Sequence, residues 1–145
     1  MHLPMASYAK YSMFLVLLPV ALLAQQRPSV APYDAKLVES DQEVDAAYGI
    51  SKGIHQITPL VRGVRGADDV VYWTSSDKQV LLAYQSKQLV WKTNVARVFP
   101  MPLQQAGINT LIFASEIAFV RVGKNGFAEV NRKTGLVTSK TIQKN

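Results

Sequence analysis

The sequence predicts an all-β fold: a small antiparallel meander folded as a sandwich or open barrel, with one short N-terminal helix. Three observations carry that expectation. From Val70 onward, apolar runs of five to eight residues alternate with turn residues, the pattern of short strands joined by hairpins. The turns Gly123-Lys124-Asn125-Gly126 and Arg132-Lys133-Thr134-Gly135 contain residues that accept positive φ and so suit tight reversals. The chain of 145 residues has no cysteine, so a packed apolar core, not a disulfide framework, must hold it together.

The N-terminus reads as an address. Met1 to Tyr11 is mildly basic through Lys10, Met13 to Leu23 is apolar apart from Pro19, and Ala24 precedes the polar Gln25-Gln26-Arg27-Pro28. This is the pattern of a secretory signal over residues 1–24 with cleavage after Ala24. Its apolar run of eleven residues falls short of the ~20 that a hydrocarbon core requires, so the cleaved chain is expected to have no permanent membrane span. An uncleaved signal would act as an anchor instead. With no cysteine to acylate, the expected location is secreted or periplasmic.

Signal removal leaves 121 residues, the size of one domain. Residues 25–36 contain Pro28 and Pro32 and little apolar content, which predicts a flexible tether. A single β-rich domain is expected over 37–145. It opens with Ser40-Asp41-Gln42-Glu43, which has the form of a capping box, and Gly49 follows as a stop, predicting a helix over about 41–48. Gly49 to Asp69 is rich in glycine and reads as loop with irregular edge strands.

The meander then falls into two groups. Val70–Thr74, Gln79–Tyr84 and Gln88–Val95 form the first, and Ile108–Ala114, Ile117–Val122, Phe127–Asn131 and Leu136–Thr141 the second. Ala96 to Gly107, with Pro100 and Pro102, separates them. An offset of 47 residues lays one group on the other, so that Ala83 falls on Val130 and Leu89-Val90 on Leu136-Val137. A period in the forties is the length of one propeller blade. The predicted core is Tyr72, Leu82, Leu89, Trp91, Leu111, Phe113, Phe119 and Val130.

The segment Leu82-Ala83-Tyr84-Gln85-Ser86-Lys87-Gln88-Leu89-Val90-Trp91-Lys92 resembles the pyrroloquinoline-quinone-type β-propeller repeat, in which an Asp-Ala-x-Thr-Gly turn leads to a strand ending in Leu-x-Trp-Lys. Val130-Asn131-Arg132-Lys133-Thr134-Gly135 is similar to the same turn. Neither copy is complete: the first has Ser86-Lys87 where Thr-Gly belongs, and the second has Ser139 near the tryptophan position. The resemblance implies an alternative architecture of two propeller-like blades, with Trp91 packed between them and a scaffolding role in an envelope complex. It implies no quinone cofactor, because it reaches hairpin packing residues only. Two blades cannot close a ring, so the sandwich is the preferred expectation.

Charge excludes little by itself. The formal net charge is +6, with 13 bases against 5 acids after residue 45, but the bases are scattered and no aromatic-and-basic nucleic-acid motif appears, so no nucleic acid is expected. Once the signal has gone, His55 is the only histidine. Beside Gly53 and Ile57 it reads as a surface or cap residue. No nucleophile elbow, phosphate loop, zinc motif or calcium loop is present, and neither metal nor cofactor is expected. Asp68-Asp69 is the one adjacent carboxylate pair, and with Glu116 and His55 it defines the competing class, a small carboxylate- or metal-dependent hydrolase. Glu129 alternates with apolar neighbours and should point to solvent. Tyr72 and Trp73 are the candidate partner-binding aromatics. The reading is an exported binding or assembly module without catalysis, meeting an envelope protein or a polysaccharide and compatible with oligomerisation.

Overall fold

The computed structural model describes residues 31–41, 43–45, 50–51 and 53–144. The expected signal and the first half of the expected tether lie outside them. Twelve strands occur among the described residues: β1 Val38–Ser40, β2 Glu43–Asp45, β3 Ile50–Ser51, β4 His55–Gln56, β5 Gly63–Arg65, β6 Val71–Thr74, β7 Val80–Gln85, β8 Gln88–Asn94, β9 Ile108–Phe113, β10 Ile117–Val122, β11 Gly126–Asn131 and β12 Val137–Ile142. A one-turn helix, α1 (Leu103–Ala106), and two 3-10 turns complete them.

The fold is all-β. One sheet has the order β1-β5-β6-β7-β8 and the other β12-β11-β10-β9-β4, with β2 and β3 as a separate ribbon. Each sheet contains a four-strand antiparallel meander, extended at its first strand by one short addition, β1 parallel to β5 and β4 antiparallel to β9. The two sheets form a sandwich around one core. Cross-strand partners in the first sheet line Val64, Tyr72, Ala83 and Trp91 in one inward row. The second answers with Phe113, Ala118 and Val130, and with Leu111, Val120 and Ala128. The Tyr72 ring lies 4.8 Å from Phe113 and 6.1 Å from Trp91. Each large apolar side chain so buried contributes about 1.5–3 kcal/mol.

Three core expectations are corrected. Phe119 is 39% exposed and Leu89 is 50% exposed, and Leu82 is half-buried. In β10 the inward positions are Ala118, Val120 and Val122, so alternation turns Phe119 outward. In β7 the inward residues are Leu81 and Ala83, which does the same to Leu82. Leu89 fails for a different reason: Ala83 pairs with Trp91 but Tyr84 with Leu89, so Val90 is the extra residue of a bulge. The bulge reverses the alternation and sends Leu89 to the outer face. The 47-residue offset inherits the same problem, since it lays inward Tyr72 on outward Phe119.

The N-terminal side also departs from expectation. Glu43–Asp45 is a strand, not part of a helix, and residues 42 and 46–48 of that expected helix lie outside the described set. The last residues of the expected tether are docked. Asp34 accepts a hydrogen bond from Lys36 N to cap a 3-10 turn, and the Tyr33 ring packs 5.4 Å from Tyr84 and 5.9 Å from Trp73. A single aromatic anchor on the outer face of the first sheet overrides the solubility of its neighbours.

Candidate functional site

Polar side chains gather at two interior ties, and one apolar face is left open. The first tie is built on Arg132, which follows β11 and is buried by the β9–β10 turn above it. Its Nε donates to Tyr72 Oη at 3.1 Å and its Nη1 to the Ala114 carbonyl at 2.8 Å. Nη2 meets Asp68 Oδ2 at 3.0 Å, and Tyr72 Oη donates to the same oxygen at 2.8 Å. The guanidinium also lies 5.2 Å from the Phe113 ring centre. Burial pushes the Tyr72 hydroxyl well above its ordinary range, outweighing the opposing pull of Arg132. Burial by itself would lower the Arg132 pKa, but the Tyr72 hydroxyl and the Asp68 carboxylate hold it above its ordinary value.

A cavity of about 370 Å³ opens over this tie and is lined by Asp68, Glu116, Lys133 and the Trp91 ring. Asp68 and Glu116 are therefore brought together. Asp69 is not: it adopts φ +66 and pairs with Arg65 at 3.0 Å on the surface. His55 belongs to a separate, second tie. Its Nδ1 lies 2.6 Å from Glu39 Oε2 and its Nε2 2.5 Å from Asp41 Oδ1, and the ring is 5% exposed, which corrects the surface reading. Because β1 belongs to one sheet and β4 to the other, this tie stitches the sandwich together. Among the described residues no group of three His, Asp or Glu side chains could hold a metal ion.

Neither predicted partner-binding aromatic is open. Tyr72 is fully buried in the core. Trp73 is half-buried beneath Tyr33, with the Arg62 guanidinium 4.9 Å from its ring centre. Its other side lies on Gly63, where a Cβ would come within 2.6 Å of the ring. The close approach requires glycine there.

The open surface is the outer face of the second sheet. A groove of about 390 Å³ crosses it, floored by Ile112, Phe119 and Phe127 and rimmed by Ile54, Arg121 and Glu129. Ile54 is 63% exposed beside it. At its far side runs β12, an edge strand exposed along nearly its whole length. Sequence reasoning missed this face, although Leu111-Ile112-Phe113 signals it: consecutive apolar residues in a strand supply both faces of a sheet.

Among the described residues no helix is long and apolar enough to cross a membrane. No protein-family model matches the chain, and neither does any curated protein or solved structure.

Proposed function

We propose that the chain is an exported binding or assembly module that works through the outer face of its second sheet and carries out no catalysis. One observation carries the reading. Phe119 and Ile54 are exposed in the lining of an apolar groove that runs up to the edge strand β12, whose outer edge pairs with no strand among the described residues. Apolar side chains grouped beside unpaired backbone donors and acceptors favour a protein partner, which buries the former and pairs the latter. A polysaccharide is the weaker candidate, because sugar platforms need open Tyr or Trp faces and Tyr72 and Trp73 are occupied. Export rests on the signal-like N-terminus, and the partner is accordingly another envelope or extracellular protein.

The propeller resemblance supports a scaffolding role through one contact. Trp91 of the first sheet lies on Gly135 of the second, the kind of packing the resemblance implies between blades. A second reading, the small hydrolase, draws on Asp68 and Glu116 sharing one cavity. Against it, the Asp68 carboxylate is already engaged by Arg132 and Tyr72.

The test is a photoreactive benzophenone amino acid in place of Phe119, with the same group at exposed Lys92 as control, in cells exporting the chain. A discrete adduct from position 119 and none from 92 is the expected result. Equal or no labelling at both positions would overturn the docking face.

A further inference from the structure

We infer that the occupant of this face is a second copy of the chain, docked about a twofold axis. The inference rests on the reading of the outer face as a docking surface, and it commits that reading to one partner.

The two outer faces differ. On the first sheet Tyr33 packs over Trp73 and Tyr84, while Leu89 and Lys92 stand exposed on its outermost strand. Docking of the second sheet's groove on the same groove of another copy is isologous, face against like face.

Charge then fixes the axis. On adjacent strands β10 and β11, Phe119 stands opposite Glu129 and Arg121 opposite Phe127. The four outward side chains form a rectangle with the phenylalanines on one diagonal and the opposite charges on the other. Within the chain the two charges do not pair: Arg121 donates from Nε and Nη2 to the Lys124 carbonyl, and the ion pairs among the described residues do not include Glu129. A twofold axis along the phenylalanine diagonal sets each ring against its own copy and each Arg121 against the partner's Glu129, giving two ion pairs. An axis along the charged diagonal would oppose Arg121 to Arg121 and Glu129 to Glu129. Axes parallel or perpendicular to the strands would oppose every ring to a charge. Residue spacings of ~6.8 Å along a strand and ~4.8 Å between strands tilt the favoured diagonal roughly 35° from the strands. The two sheets then cross at roughly 70°, near the orthogonal class of sheet packing. Aromatic rings at the centre and charges at the rim follow the anatomy of stable interfaces.

Sedimentation velocity of the purified full chain tests the inference. The wild type is expected to run at twice its 16.0 kDa mass. R121E makes all four charges of the interface acidic and E129R makes them all basic, so each variant alone should dissociate at least tenfold more readily. An equimolar mixture of the two restores both ion pairs and should recover the dimer mass. Near-UV circular dichroism of each variant checks that its fold is retained. A monomeric wild type, variants that associate like the wild type, or a mixture that stays monomeric would each overturn the second-copy assignment. A monomer that still forms a discrete adduct from position 119 keeps the docking face and gives it a foreign partner. A monomer with no such adduct removes both readings.

Discussion

Trp91 Nε1 donates to the Arg132 carbonyl at 2.9 Å, fastening the outer strand of one sheet to the β11–β12 turn of the other. The turn is shaped to receive it. Asn131 Oδ1 accepts from Lys133 N and Thr134 N at 2.8 and 3.0 Å, and Gly135 reverses the chain at φ +76 beneath the indole. Thr93 Oγ1 adds a second clasp to the Gly135 carbonyl.

Gly135→Ala is therefore expected to be among the most damaging single-methyl additions. A Cβ there would lie 2.5 Å from the Trp91 ring, and the left-handed backbone adds about 1–2 kcal/mol of its own. The loss should reach about 2–4 kcal/mol in urea unfolding. Trp91→Phe, which spares the turn but removes the hydrogen bond, should cost about 1–3 kcal/mol. A Gly135→Ala loss below that of Trp91→Phe would show that the ring yields rather than the turn.

Tyr72 predicts an alkaline transition. Its folded pKa lies above the ordinary value of 10.0 because the hydroxyl is buried. The native state thus binds this proton more tightly than the unfolded chain, and the linked stability is complete below pH ~10 and falls as pH rises beyond it. Absorbance at 295 nm should show one tyrosine ionising only as the protein unfolds. Tyr72→Phe should abolish that late step. It should also lower neutral-pH stability by about 1–2 kcal/mol, through the partner lost to Arg132 and Asp68.

The second tie predicts a coupled pair. His55→Leu removes the ring that meets the Asp41 side chain, 1% exposed, and losing a buried hydrogen bond costs about 1–3 kcal/mol. Asp41→Leu removes the same contact from its other end, so the double variant should lose less stability than the sum of the two single variants. Chemical denaturation of the four members of the cycle measures the coupling. Additive losses would show that the two side chains do not depend on each other.

The meander was legible, and the reason is local. From β6 to β12 every strand lies within one residue of an apolar run bracketed by turn residues. The described stretch from Tyr33 to Asp41 was not, because its side chains are claimed by distant partners. Ser40-Asp41-Gln42-Glu43 reads as a helix cap, yet the Asp41 carboxylate goes to His55 and the Asp41 N–H to the Arg65 carbonyl at 2.8 Å. No local rule sees either contact. The Asp68 pairing escaped for the same reason, since Arg132 lies 64 positions along the chain. Leu89 was misplaced by a bulge whose only trace is a register shift. The open groove differs: the outward phase of Ile112, Phe119 and Phe127 was present in the alternation and needed only to be read on both faces.

The β7–β8 hairpin offers a gain rather than a loss. Its two turn residues, Ser86 and Lys87, adopt φ +50 and +65 between Gln85 and Gln88, which pair across the strands. Two successive left-handed residues define the primed turn that matches strand twist, and Asn-Gly is its preferred sequence. Each non-glycine residue held there costs about 1–2 kcal/mol relative to right-handed backbone, while glycine returns about 0.5–1 kcal/mol through its looser unfolded chain. Asparagine tolerates the left-handed region with little such penalty. The double substitution Ser86→Asn and Lys87→Gly should therefore stabilise the protein by about 1 kcal/mol, read as a higher urea midpoint with unchanged slope. Both side chains are exposed and form no hydrogen bond among the described residues, so nothing in the core offsets the change. A lower midpoint would mean that this hairpin draws its reversal from Trp91 and the bulge at Val90, and that turn chemistry is secondary here.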